Sequence, residues 1–155
     1  MKKIITLFFM LIVSTVSAQT CKISLYSNNM WPLVKALADH STNLQSMANA
    51  TNGMDQLGAN IATGQISSSL SAWLHLSDLL RLDSSMVNVS DRKAVNDLAE
   101  KQLVVVQQNL GITANTFNGL MIQIKQPAIL SEVTLVRDLV NNTISTTMQC
   151  QHFAP

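Results

Sequence analysis

The sequence predicts an all-α protein: an up-and-down four-helix bundle with short extra helices, closed by a disulfide between its two ends. Three observations predict it. Apolar residues recur at helical spacing in four long runs. No run alternates with period two, and no hairpin signal competes. Two cysteines, Cys21 and Cys150, stand near opposite ends of the chain. A bridge needs their Cα atoms within about 7 Å. The chain then starts and finishes in one place, which an up-and-down bundle achieves with an even number of long helices.

The first eighteen residues are expected to lie outside that fold. Lys2 and Lys3 form a positive start, and Ile4–Val13 is apolar apart from Thr6. Val16 and Ala18 then sit three and one residues before a cleavage point. That is the three-part pattern of a secretory signal peptide of bacterial type. The apolar run is shorter than the roughly 20 residues that span a membrane. Lipid attachment at Cys21 does not fit, because Gln19 and Thr20 occupy the positions before it. The expected domains are a signal peptide, 1–18, and a single helical domain, 19–155. The expected location is periplasmic or secreted, with no stable membrane insertion after cleavage.

An oxidising compartment makes a Cys21–Cys150 disulfide the natural reading of two cysteines. It ties nearly the whole mature chain into one loop. The chain-entropy model gives about 5 kcal/mol of stabilisation for a loop of that length.

The elements follow in order. Trp31-Pro32 marks the start of the first helix, since proline is favoured in a first turn. Leu33, Val34, Leu37, Leu44, Met47 and Ala48 carry its apolar face, and Asn52-Gly53 ends it. Met54, Leu57 and Ile61 suggest a short helix over 54–63, loosened by Gly58 and Gly64. Leu70, Trp73, Leu76 and Leu80 belong to a long helix over 66–82, broken by Asp83-Ser84-Ser85. Ser90 reads as the N-cap of a helix over 91–110, with Asp91 against the helix dipole and Gly111 as the stop. The β-prone Val104-Val105-Val106 is outvoted by its helical surroundings. A short helix over 113–125 contains Gly119. Pro127 starts the last long helix, 127–149.

Charge excludes several functions. Lys+Arg number 10 and Asp+Glu 9, and charged residues are only 12% of the chain. Removing Lys2 and Lys3 takes the formal charge from +1 to −1. Such a surface offers no basic stripe for nucleic acid and little electrostatic steering.

Catalytic signals are sparse. Asp39 and His40 are adjacent on a helix and point apart. His75 and Asp78, at i and i+3, share a face and read as a polar pair rather than a general base. Ser90-Asp91-Arg92-Lys93 spells SxxK, but the partner motifs of the serine–lysine enzymes are absent. No metal-ligating spacing occurs, so neither a metal nor a cofactor is expected.

Met30 and His152 stand at the start of the first long helix and just past the last. Their placement is similar to the Met/His haem ligation of exported four-helix b-type cytochromes. The similarity rests on two residues, with plain core packing as the ordinary reading of Met30. Tyr26, Trp31 and Phe153 lie near the bridged ends. They either form a partner-binding patch or cover the open end of the bundle.

By elimination, the sequence points to an exported, non-enzymatic binding protein that acts through protein–protein contacts. An inhibitor or immunity protein, a chaperone and an accessory subunit are examples. The alternative is a periplasmic carrier of a small apolar ligand or haem. A carrier needs an interior cavity, whereas a surface binder has a filled core.

Overall fold

The computed structural model describes residues 20–150 and 152–154. The predicted leader, 1–18, lies outside the described residues. The chain runs β1 (Thr20–Lys22), α1 (Ile23–Asn49), α2 (Gly53–Ser85), α3 (Val89–Gln123), α4 (Pro127–Met148) and β2 (His152–Ala154). Each helix packs on the next, and α4 packs back on α1. This is an all-α, up-and-down four-helix bundle. A Cys21–Cys150 disulfide joins its ends, with Cα atoms 5.5 Å apart.

The two short helices expected from the sequence are not separate elements. Segment 54–63 is the first third of α2, and 113–125 is the end of α3 with the start of the turn into α4. Gly64 and Gly111 stand inside these long helices, and neither breaks its helix. A glycine weakens a helix interior by only about 0.5–1 kcal/mol. Burial of Ala59, Ala62 and Ile66 around Gly64, and of Leu110, Ala114 and Phe117 around Gly111, exceeds that cost. At 1.5 Å per residue, α2 and α3 are each about 50 Å long.

Two further boundaries differ from expectation. Helix α1 begins at Ile23, so Pro32 lies within it rather than at its start. Pro32 offers no N–H to the carbonyl of Asn28, four residues earlier. Both residues are exposed, so water can satisfy that carbonyl. Asn88, not Ser90, caps α3: its side-chain oxygen accepts from the Ser90 backbone N–H at 3.0 Å. Asn52-Gly53 and Pro127 mark boundaries as expected, with Gly53 at φ 64°.

The core runs the length of the bundle. Helix α4 shows the rule most plainly. Ile129, Val133, Val136 and Val140 form one buried stripe, continued by Thr143 and Thr147. Those threonines are satisfied within their own helix, donating to the carbonyls of Leu139 and Ile144. Between α2 and α3, Ser69 and Thr113 share a buried hydrogen bond of 2.9 Å. At the far end, the Asp55 carboxylate accepts the backbone N–H groups of Lys125 and Gln126. It thereby fixes the α3–α4 turn onto the start of α2.

Two strands of three residues each were not legible as strands. They pair in parallel, with Cys21 opposite Phe153. The bridge holds them side by side where their own sequence could not.

The glycines differ in their surroundings. A Cβ at Gly64 or Gly111 would meet nothing within 4 Å, whereas one at Gly58 would lie 2.9 Å from Ile124 Cγ1. Gly64→Ala and Gly111→Ala should therefore each stabilise the fold by about 0.5–1 kcal/mol. Gly58→Ala should forfeit that gain to the clash. Thermal melts of the three variants check this, and a stabilised Gly58→Ala would contradict the close approach of Ile124 to α2.

Candidate functional site

The described surface holds a groove between the first part of α1 and the second half of α2, with a volume of about 350 Å³. Its floor is built from core residues: Met30 and Val34 from α1, Trp73 and Leu80 from α2. These recur three or four residues apart on each helix or within one further turn, which places them on facing stripes. The rim is different. Trp31 is 57% exposed and Leu74 is 51% exposed, and both line the opening. Asn28, Ser77 and Arg81 add polar groups. Among the described lining residues, Arg81 alone is charged. Its guanidinium is 3.7 Å from Asp78, a solvent-exposed contact one helical turn away. Pairs of that kind contribute little.

The chain contains two tryptophans, and both line this groove. One lies on the floor and one stands on the rim. Pro32 and Asn28 both line the opening, so the turn in which proline withholds a helical donor lies beside it.

The three aromatic residues expected near the bridged ends have different placements. Trp31 is exposed on the groove rim. Phe153 is only 6% exposed and joins the core, so it covers the end of the bundle. It is not part of a surface patch, because its ring replaces water contact with core contact. Tyr26 belongs to α1, and its side chain lies outside the described residues.

His75 and Asp78 share no hydrogen bond among the described residues; Asp78 faces Arg81 instead. Ser90 Oγ donates to Asn88 Oδ1. Met30 is committed to the core and the groove floor, whereas His152 is exposed, with Nδ1 3.2 Å from Glu100 Oε1. Asp83 is 1% exposed, and its Oδ1 has no hydrogen-bond partner.

One cluster was missed in the sequence. His40 Nδ1 lies 2.7 Å from Glu132 Oε1, and Asn43 donates to the same oxygen at 3.2 Å. The signal was present: His40 and Asn43 are three apart on α1, and Glu132 interrupts the apolar stripe of α4 beside Val133. The cluster joins the first helix to the last. Glu132→Ala should destabilise the fold by about 1–3 kcal/mol, because it strands His40 in a half-buried position. Urea denaturation measures this, and an unchanged midpoint would show that the cluster holds nothing together.

No family model, curated protein or solved structure matches this chain.

Proposed function

We propose that this is an exported, non-enzymatic binding protein, periplasmic or secreted, that grips another protein through the α1–α2 groove. The observation that carries the reading is the groove itself: a buried apolar floor under an exposed Trp31–Leu74 rim. Exposed tryptophan beside a preformed apolar recess is the composition of an interface hot spot. Export is supported by the leader pattern and by the disulfide. Among the described residues, no helix is long and apolar enough to cross a membrane.

The groove selects by shape and charge. It takes an apolar side chain of the partner on its floor, and Arg81 favours an acidic neighbour beside that side chain. Buried side chains from all four helices form one hydrophobic cluster, and the groove opens beside it.

A photoreactive side chain at position 74, installed in the producing cell, tests the reading. We expect one dominant protein adduct, identified by mass spectrometry, which Trp31→Ala reduces at least tenfold, a loss of about 1.4 kcal/mol or more. Adducts spread over many proteins, or insensitive to Trp31→Ala, would overturn it.

The groove volume also falls at the lower end of the roughly 300–1,000 Å³ range of small-molecule sites. That observation supports the carrier reading. Native mass spectrometry on the exported protein separates the two. A retained ligand of a few hundred daltons means a carrier, whereas a bare mature mass favours the protein partner.

A further inference from the structure

The sequence contains two Asn-Gly dipeptides, Asn52-Gly53 and Asn118-Gly119. Asparagine before glycine is the pair most prone to spontaneous deamidation, because glycine leaves its backbone nitrogen unshielded. As sequence, the two sites are equivalent. The fold makes them unequal, and we propose that it selects Asn52 as the site of deamidation in this protein.

The chemistry is intramolecular. The Gly53 backbone nitrogen bonds to Asn52 Cγ and gives up its proton, while the side-chain amide leaves as ammonia. A five-membered imide results. Water then opens the ring at either carbonyl, leaving aspartate or isoaspartate. One water enters and one ammonia departs, so no further reactant is needed.

Ring closure requires Asn52 to rotate about ψ and χ1; no capping bond holds χ1, and turning ψ gives up one long hydrogen bond, from the Gln56 N–H to the Asn52 carbonyl at 3.5 Å. Asn52 stands outside the helices with extended backbone, at φ −142° and ψ 175°, as the N-cap of α2. Its side chain makes no capping hydrogen bond. Gly53 is the first helical residue, so its N–H is one of the donors that a helix leaves without an internal partner. Gly53 has φ 64°, and no atom lies within 4 Å of where a Cβ would stand. The backbone can therefore adjust around the forming ring.

Asn118-Gly119 shares only the exposure and the open space. Both residues are as exposed as their counterparts, and Gly119 also has open space where a Cβ would be. Accessibility is thus not the difference. The pair lies inside α3, five residues from its C-terminal end. There the Gly119 N–H donates to the Asn115 carbonyl along the helix, and Asn118 ψ is held at its helical value. Closing the ring means opening the last turns of α3, which carry buried Phe117 and Leu120.

The two products differ structurally. Aspartate is as good an N-cap as asparagine, and its charge suits the start of α2. Isoaspartate inserts a methylene into the main chain of the short α1–α2 turn.

The test uses the full mature protein with its disulfide intact, held at mildly alkaline pH. A parallel sample is reduced and kept in urea. Tryptic mapping follows both sites, because Asn52 and Asn118 fall in different peptides, bounded by Lys35 and Arg81 and by Lys101 and Lys125. In the folded protein, the mass gain of an amide-to-acid change should accumulate at Asn52 at least about tenfold faster than at Asn118. In urea, the two rates should converge. Equal rates in the folded protein would overturn the proposal. So would an Asn52 that stays intact there while both sites react in urea.

Discussion

Replacing both cysteines, Cys21→Ala with Cys150→Ala, should lower the melting temperature more than any other change at the bundle's ends. The bridge closes residues 129 apart in sequence. Loop-closure entropy for that length amounts to about 5 kcal/mol at 25 °C. At roughly 2–4 °C per kcal/mol for a domain of this size, the loss is about 10–20 °C. The fold itself should survive at low temperature. All four helices and their shared core, apart from Phe153, lie between the cysteines, and only β1 and β2 depend on the bridge to remain paired. Far-UV circular dichroism at 25 °C should therefore match the wild type, while the thermal transition moves down. Coincident melts under non-reducing conditions would show that the closed loop adds no stability.

The fold class was legible because two independent signals agreed. Helical periodicity in four runs and the need for adjacent chain ends both require an even-numbered bundle. The boundaries were less legible for a physical reason. Glycine and proline act as local stops only where packing does not oppose them. Gly64 and Gly111 cost little, and their neighbours bury enough apolar surface to carry α2 and α3 through. Pro32 is exposed, so the hydrogen bond it removes falls where solvent can replace it. The stops at Asn52-Gly53 and Pro127 held because chain reversal, not packing, was decisive there.

The groove was half legible. Trp31 stands out in the sequence as an aromatic residue near the bridged ends, but its neighbours in the groove, Trp73, Leu74 and Leu80, read only as the apolar face of a long helix. Periodicity shows which residues share a face. It does not show that α1 stands off from α2 enough to leave a recess, because that depends on side-chain shapes across two helices. Phe153 illustrates the same limit. A terminal aromatic residue looks available for binding until the disulfide and β2 fold it onto the core.

Phe117→Ala should cost about 3–5 kcal/mol, the usual range for emptying a fully buried aromatic site. Phe117 is the largest fully buried side chain described. It lies in the part of α3 beyond Gly111, between Thr113, which bonds to Ser69, and Leu120, which approaches Gly58. That part of α3 packs on the first half of α2, whereas the groove uses α2 from Trp73 to Arg81. The two ends can therefore be separated by mutation. Phe117→Ala should lower the urea midpoint sharply and leave the position-74 crosslink intact below the transition. Trp31→Ala should do the reverse, changing stability by no more than about 0.5 kcal/mol as an exposed substitution while reducing the crosslink. If Phe117→Ala costs less than about 1 kcal/mol, the end of α3 does not share the bundle's core. If Trp31→Ala destabilises as much as Phe117→Ala, the rim tryptophan is a packing residue, and its exposure serves no partner.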